Sequence, residues 1–317
     1  NYNKEGVAND TLLQSIFDKT DSSSEYINIE NTNIFEGNES YIRLSGQSNS
    51  NTLASSILEK ISNKCFSLNL YANIKQGIVS GADKVTDKHL EKYKIKAKKG
   101  EGIFVLSDLE IKNLKLNDTE RKLIKNFYKN SDILRFHINF TADKNLIYIN
   151  KDTDISKYPN ILTHLTKFKA ILKNKRETLQ KKLPWYSLHW SRDLNILSNQ
   201  KIVCPRRSKL NNFAIETGKN FEQSDIMMIS IKDNYKKSLD CNYLLGILNS
   251  KLIFFWLSYR GKVKGSTLEL YGKPLEELPI RLFDKSKSKE IIETTKNLNE
   301  KFSHVEFDKL NQAIYKL

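Results

Sequence analysis

The most apolar segment of the chain, YLLGILNSKLIFFWLSY at residues 243–259, constrains the fold more than any other. Asn249, Ser250 and Lys251 interrupt this segment near its middle. The apolar stretches on either side are much shorter than the roughly 20 residues that a helix needs to cross a bilayer. We therefore predict a helix over residues 242–259 that is buried inside a globular protein, and we expect no contact with a membrane.

The rest of the chain supplies enough apolar material to surround such a helix. Of its 317 residues, 39% are hydrophobic and 10% are aromatic, with only 12 Gly and 5 Pro. These values exclude collagen-like, low-complexity and wholly disordered chains. Helical and strand-like patterns are mixed without a regular βαβ repeat. The predicted class is α+β, a mixed α/β domain with antiparallel strands, the buried helix and a helical C-terminal tail.

Local patterns place the other elements. Apolar residues at helical spacing predict a helix over LASSILEKIS at 53–62 and a long basic helix over 161–182, which ends before Pro184. The amphipathic segment TERKLIKNFY at 119–128 also predicts a helix. Strands are predicted at residues 145–150, 201–204, 213–215 and 226–231.

Charge is distributed unevenly along the chain. The formal net charge is +15, but only nine of the 52 basic residues are Arg, a Lys excess that AT-rich coding sequences produce without selection. Residues 1–50 hold three basic and eight acidic residues, whereas residues 167–211 hold twelve basic and two acidic ones. The second stretch indicates either a polyanion-binding surface or a solvated Lys-rich face. Charge alone leaves both interpretations open.

The sequence contains few catalytic signatures. It has no GxGxxG or GxxxxGK[ST] loop, no HExxH motif, and no adjacent prolines from which an Asn/Asp-Pro-Pro-aromatic tetrapeptide could be made. One ExK triplet, Glu110 to Lys112, is compatible with a nuclease centre. Three widely spaced cysteines suit a reducing cytosol, and the absence of a charged-then-apolar leader predicts no signal peptide.

Three segments carry residues suited to nucleic acid. In the first, NIKQGIVSGADKVT at 73–86, Gly77 and Gly81 frame a turn that a partner could approach closely. Its candidate donors to phosphate or to a base edge are Lys75, Gln76, Ser80 and Lys84. A glycine-punctuated hairpin with surface polar residues is the alternative interpretation.

The second segment spans residues 184–214 and the third spans residues 243–280. The second contains the candidate ligands of phosphate or guanine, which are Arg192, Arg206, Arg207 and Lys209. Its aromatic residues Trp185, Tyr186 and Trp190 are interpreted as core rather than as stacking platforms. The third contains a basic glycine loop with Arg260, Lys262 and Lys264, either a phosphate contact or a solvated turn.

These segments, in this order, resemble the TaqI-like C-terminal specificity domain of adenine-specific DNA methyltransferases and type IIG restriction-modification enzymes. The resembling motifs are QGIVSG at 76–81, KIVCPR at 201–206 and the segment from LLGILNSKL to LPI at 244–280. The family often has Thr where this chain has Ser80, which keeps the hydroxyl.

The resemblance implies a reader of double-stranded DNA in a cytoplasmic enzyme of a bacterial restriction-modification system. Residues 1–50 would be the end of a preceding methyltransferase domain, with a linker at 45–52, residues 51–283 the recognition domain, and residues 284–317 a helical tail. S-adenosylmethionine is implied for the missing methyltransferase domain and no cofactor for this chain. Because base flipping costs a few kcal/mol, a separate domain that grips the duplex has a clear use.

Two other functions stay open at this stage. The chain could be a standalone metal-dependent nuclease that uses Glu110 and Lys112. It could also be an assembly module like the specificity subunits of type I systems, with the helix at 286–317 as the contact to a partner. Such subunits usually carry two recognition units separated by long helices, whereas this sequence indicates one unit and one short terminal helix.

Overall fold

The computed structural model describes residues 53–63, 65–140, 143–281 and 285–317, together with four short strands between residues 10 and 42. The mixed α+β class is confirmed, since helices and strands are intermingled along the chain. The linker predicted at residues 45–52 lies outside the described residues.

The strands are short, with at most six residues each. They are β1 (Asp10–Ser15), β2 (Glu25–Glu30), β3 (Phe35–Glu36), β4 (Tyr41–Ile42), β5 (Phe66–Ser67), β6 (Ala72–Gln76), β7 (Val105–Leu106), β8 (Ile124–Tyr128), β9 (Asn145–Ile147), β10 (Lys201–Pro205), β11 (Arg207–Ser208), β12 (Ala214–Glu216), β13 (Phe221–Glu222), β14 (Ile226–Ile231), β15 (Val263–Lys264), β16 (Thr267–Glu269) and β17 (Pro279–Ile280).

The helices vary more in length, from one turn to more than four. They are α1 (Leu53–Ser62), α2 (Leu68–Tyr71), α3 (Asp87–Lys92), α4 (Asp108–Asn113), α5 (Asp118–Arg121), α6 (Pro159–Lys167), α7 (Lys169–Lys173), α8 (Arg176–Leu179), α9 (Leu194–Ser198), α10 (Cys241–Asn249), α11 (Lys251–Arg260), α12 (Lys273–Glu276), α13 (Lys285–Glu300) and α14 (His304–Tyr315). None of those in the described ranges has both the length and the apolar character needed to span a bilayer.

A four-stranded antiparallel sheet in the order β12-β10-β14-β6 is central to the fold. Alternate residues of its strands face opposite sides. Ile202 and Cys204 of β10 therefore join an apolar cluster with helices α10, α11, α13 and α14, whereas Val203 joins a second cluster with α6 and α7. The second cluster also contains the sheet β13-β8-β9-β7, in which β13 and β8 are parallel.

The C-terminal tail is helical as predicted, and it is part of the core. Ile291, Leu298 and Leu310 on α13 and α14 are buried in the first cluster. Gly246 of α10 lies so close to α13 that a Cβ there would meet the Thr295 hydroxyl and Ile291. Much of the apolar surface of both tail helices is therefore covered within the chain, although Val305 and Tyr315 of α14 are exposed.

The single buried helix predicted over residues 242–259 is wrong in one respect, because the segment forms two helices. Ser250 is extended (φ −66°, ψ 156°), and its hydroxyl accepts a hydrogen bond from the Ile253 amide at 3.1 Å, which begins α11. The fully buried Asn249 side chain pairs with both backbone groups of Phe213 at 2.9 Å. These polar residues end one helix and begin the next without leaving the core.

The long basic helix predicted over residues 161–182 is also wrong, since the structure has the short helices α6, α7 and α8 instead. The chain leaves helical geometry at Phe168 (φ −106°, ψ 13°) and again at Lys175 (φ −64°, ψ 139°). The Lys175 side chain turns inward, and its ammonium donates to the Ser187 carbonyl oxygen. The second break, at Lys175, therefore coincides with a contact to Ser187, a residue outside the segment.

The helix predicted over residues 119–128 is replaced by the single turn α5 and strand β8. Asn117 caps α5, and its side chain accepts a hydrogen bond from the Glu120 amide at 2.9 Å. Phe127 and Tyr128 are buried in β8, between β9 and β13. Pairing with two neighbouring strands overrides the amphipathic helical pattern.

Candidate nucleic-acid interface

The first and second sequence motifs meet at one edge of the central sheet. Strands β6 and β10 are both antiparallel to β14, so they run in the same direction and end at the same edge. At that edge Pro205 is opposite Ile226 and Gln76 is opposite Met227. Because β14 lies between them, the ends of β6 and β10 are two inter-strand spacings apart, which is about 10 Å. We call this edge, with the small sheet β11-β16-β15 that continues it, the basic edge.

The turn before β14 connects the two motifs. The Gln76 side-chain amide donates to the Ser224 carbonyl oxygen at 2.8 Å. The Arg206 backbone amide donates to the Asp225 carbonyl oxygen at 2.8 Å, and its guanidinium lies 3.7 Å from the Asp225 carboxylate. The turn at residues 223–225 therefore sets the distance between the QGIVSG and KIVCPR segments.

Gly77 permits a close approach, as the sequence predicts. The approaching group is the backbone of Glu222 and Gln223 rather than a binding partner. A Cβ at Gly77 would lie 2.6 Å from the Glu222 carbonyl oxygen and closer still to that of Gln223. The Gly77 amide donates to the Ile226 carbonyl oxygen, and the Ile78 amide donates to the Glu222 carbonyl oxygen. The glycine therefore joins β6 to the turn at residues 223–225.

Arg192 contacts the chain at Gln76 and Gly77, where strand β6 ends. Its Nε donates to the Gly77 carbonyl oxygen at 3.0 Å, and its Nη2 donates to the Gln76 amide oxygen at 3.2 Å. Burial lowers the pKa of its guanidinium. The guanidinium also lies 5.1 Å from the centre of the Trp190 ring. Its Nε and Nη2 each donate one hydrogen bond inside the protein, so the structure gives it a role in ordering the chain at Gly77.

The other candidates on the first motif differ in exposure. Lys75 is exposed on the edge strand β6, and Lys84 is half-buried. Ser80 is only 6% exposed, and its hydroxyl donates to the Asp83 carboxylate and accepts from the Ala82 amide. The hydroxyl that this chain shares with the family's Thr therefore stabilises the turn internally.

The second and third motifs meet in the small sheet, around Glu269. Its carboxylate is 3% exposed and lies 3.3 Å from Arg207 Nε and 2.7 Å from Lys262 Nζ. The Tyr271 hydroxyl donates to the same carboxylate at 3.1 Å. The Arg206 guanidinium lies 4.5 Å from the centre of the Tyr271 ring. Residues from sequence positions more than sixty apart thus form one cluster, which we call the Glu269 cluster.

The remaining basic candidates surround this cluster. Lys209 follows β11 and Lys264 belongs to β15, and both are exposed. Arg260 is half-buried at the end of α11, and burial lowers its pKa. DNA contact by any of the candidates stays a prediction.

Sequence reasoning missed three residues of this edge, namely Asp225, Glu269 and Tyr271. The signal in the sequence is that Glu269 is the first acidic residue after a run with three basic ones in RGKVKGSTLE. Trp190 was assigned to the core, and that interpretation is wrong because the ring is 43% exposed beside the Gly77 turn. Its neighbours Trp185 and Tyr186 are half-buried against the second apolar cluster.

Glu110, the candidate nuclease residue, has a structural role. Its carboxylate accepts hydrogen bonds from the Gly102 amide at 2.7 Å and the Ser107 amide at 2.8 Å, and it completes the capping box of α4. Lys112 is exposed on the same helix. Within the described ranges, no group of three or more His, Cys, Asp and Glu side chains could hold a metal ion.

The fold and the basic edge together define a mixed α+β domain with an exposed basic surface, in which Glu269 pairs with Arg207 and Lys262. Residues 125–280 match the family described as the TaqI-like C-terminal specificity domain. About half of the chain is therefore similar to this specificity domain, as the resemblance indicated. The second and third sequence motifs lie inside the match, and the QGIVSG turn lies outside it.

Two curated relatives extend this result. The chain is 32% identical over 174 residues to the type II methyltransferase M.HindII of Haemophilus influenzae, which covers 52% of this chain and 33% of that protein. It is 30% identical over 204 residues to the type II methyltransferase M.MjaIV of Methanocaldococcus jannaschii, which covers 62% of this chain and 64% of that protein. The chain thus spans less than two thirds of either relative.

The fold is also similar to part of a solved structure, the type IIL restriction-modification enzyme MmeI in complex with DNA. The similarity covers 98% of this chain and 38% of that enzyme, with a TM-score of 0.55 and 12% sequence identity. At this identity the likeness concerns the fold alone.

Proposed function

We propose that this chain reads the sequence of double-stranded DNA, as the specificity part of an adenine-specific DNA methyltransferase or restriction-modification enzyme. The observation that carries the proposal is the basic edge. Two motif-bearing strand ends lie about 10 Å apart there, comparable to the roughly 12 Å width of the major groove. Lys75, Lys209 and Lys264 are exposed at this edge, while Glu269 and Tyr271 contact its two arginines. Exposed lysines suit phosphate contacts, and arginines can also read base edges.

In this proposal, another part of the protein catalyses the methylation of DNA. The relatives are named as type II methyltransferases, and the chain matches only a third of the length of M.HindII. A methyltransferase domain of the same polypeptide would bind S-adenosylmethionine and the flipped adenine. The chain itself would order the duplex beside it, in the cytoplasm, and no cofactor is proposed for it.

The test measures how the full chain binds a fluorescent pool of random-sequence duplexes at several salt concentrations. We expect the logarithm of the affinity to fall linearly with the logarithm of the salt concentration, with a slope of about −0.9 for each phosphate neutralised. The double substitution Arg206→Ala and Arg207→Ala should weaken binding and flatten this slope by about one to two units.

A matched control removes the same charge from the other end of strand β14. Lys236 and Lys237 follow that end and are exposed, so Lys236→Ala with Lys237→Ala should leave the affinity nearly unchanged. Equal effects of the two double substitutions would show that charge alone matters and would reject the basic edge as the binding surface. The absence of any duplex binding at low salt would reject the proposed function.

The two alternative functions gain no support from the geometry. Glu110 is held by backbone amides as a capping residue, which is not the arrangement of a metal-dependent nuclease. The helices α13 and α14 bury most of their apolar residues in the core with α10, so much of the surface that an assembly partner would need is already covered.

A further inference from the structure

The two adjacent arginines of the basic edge are held in different ways. Arg206 lies against the Tyr271 ring, and its guanidinium is 3.7 Å from the exposed carboxylate of Asp225. Arg207 has its Nε 3.3 Å from the carboxylate of Glu269, which is only 3% exposed, while 60% of the Arg207 side chain remains exposed. A hydrogen bond with Tyr271 and the charge of Glu269 raise the pKa of Arg207. One edge of its guanidinium is therefore held by the protein, and the rest faces outward.

The position of Glu269 needs a reason, because a carboxylate in a basic surface works against phosphate binding. Each cation that pairs with an internal anion contributes less to the release of counterions from DNA. Arg207 and Lys262 both share their charge with this one carboxylate. A surface that only had to attract the DNA backbone would bind more tightly without Glu269.

A reader of bases gains from the same arrangement. Guanine presents two acceptors, O6 and N7, in the major groove, and the planar guanidinium fork matches both. When the guanidinium is already held in the free protein, less conformational entropy of the long side chain is lost on binding DNA. It also fixes the plane in which the two donors lie, which discriminates against a misplaced or different base.

We propose that Arg207 reads a guanine in the major groove and that Glu269 positions it, while Arg206 serves the DNA backbone. This proposal rests on the DNA-reading function given above and adds to it which of the two arginines carries sequence information. Glu269 is a positioning residue, since it acts through Arg207 and does not touch the base.

The experiment selects bound sequences from the random duplex pool with the full chain and with three variants. Arg207→Lys keeps the charge and removes the fork, Arg206→Lys is the matched control next to it, and Glu269→Gln removes the anion. The wild type should enrich a motif with a G·C pair. Arg207→Lys should reduce the preference at that pair by about tenfold or more and leave the other positions intact.

Glu269→Gln should give a result that a purely structural role would not produce. We expect its preference to fall at the same G·C pair, while its affinity for the unselected pool rises because one negative charge is gone. Arg206→Lys should keep the whole motif. Because Arg207 is largely exposed, Arg207→Lys tests the proposal even if Glu269→Gln fails to fold.

Several outcomes would overturn the proposal. The first is that Arg207→Lys leaves the motif unchanged, and the second is that Arg206→Lys is the variant that loses the G·C preference. The third is a folded Glu269→Gln variant that keeps the whole motif or loses its preference at a different position. In each case the wild type still enriches a motif, so the proposed function survives. If the wild type binds no duplex and enriches no sequence, the proposed function itself fails and this inference fails with it.

Discussion

Lys201 and Glu222 form an ion pair in which neither side chain is exposed, with Nζ 3.0 Å from Oε1. The ammonium also donates to the Leu197 carbonyl oxygen at 2.6 Å, and the Tyr128 hydroxyl donates to Glu222 Oε1 at 3.3 Å. The other carboxylate oxygen, Oε2, has no hydrogen-bond partner among the described residues. Glu222 directly precedes the turn at residues 223–225. The pair therefore fixes the base of the turn that joins the two halves of the basic edge.

Lys201→Met should destabilise the protein strongly. The substitution leaves the Glu222 carboxylate buried without its cation, and breaking a buried pair in this way costs about 3 kcal/mol or more. The free energy of unfolding in urea at pH 8, where the wild-type carboxylate is ionised, measures the effect. Replacing both residues, as Lys201→Met with Glu222→Leu, should recover most of the loss. A Lys201→Met protein as stable as the wild type would contradict the expectation.

The contribution of Glu222 to stability should fall as pH rises between about 4.5 and 7. Burial raises the pKa of Glu222 from 4.5 to about 7, and Lys201 opposes part of that rise. In this range the folded protein keeps a proton that the unfolded chain releases, so the contribution of Glu222 is complete below the range and lost through it. The slope is at most about 1.4 kcal/mol per pH unit.

Glu222→Gln isolates this contribution. The difference in unfolding free energy between the wild type and this variant, measured by urea denaturation across the pH range, should decline as pH rises. A difference that stays constant from pH 4 to about 8 would show that Glu222 has an ordinary pKa.

Gly77→Ala should destabilise the turn by about 3 kcal/mol or more, because two backbone oxygens occupy the space of the new methyl group. Gly100 offers a matched control, since a Cβ there meets nothing within 4 Å although its φ is +83°. Gly100→Ala should therefore cost only the strain of a positive φ, about 1 kcal/mol. Thermal unfolding of both variants measures the difference. Equal losses would mean that the close approach at Gly77 is unimportant.

Trp190 should report DNA binding through its fluorescence. It is 43% exposed beside the Gly77 turn, whereas Trp256 is 7% exposed in the core. DNA at the basic edge would displace water from this ring and change its emission. We expect duplex DNA to quench the wild-type fluorescence, Trp190→Phe to lose most of the change, and Trp185→Phe to keep it. If the Trp190→Phe variant shows the same quenching as the wild type, the DNA binds away from the basic edge.

Local sequence patterns were sufficient where an element depends on its own side chains. The helix at residues 53–62 has the predicted bounds because its apolar face repeats at helical spacing. Strands β10 and β14 agree with their predictions to within a residue because both are mainly apolar runs that the sheet buries. Asn117 begins α5 through a hydrogen bond to a neighbour three residues away, which the sequence alone can suggest.

Tertiary contacts decided the elements whose local pattern was ambiguous. TERKLIKNFY has a helical pattern, but β9 and β13 pair with its second half on both sides. The basic helix at 161–182 is broken where Lys175 turns towards Ser187, a residue beyond the predicted helix. Such contacts involve partners that a window along the sequence does not include.

The sequence alone indicated which segments we propose to carry function. The order of three motifs identified the family, and the consecutive arginines Arg206 and Arg207 stood out in a Lys-rich chain. Only the tertiary structure showed that Glu269 holds one of these arginines and Tyr271 packs against the other. The physical reason is that ion pairs and ring contacts act over about 3 to 6 Å, whereas these partners are more than sixty residues apart along the chain.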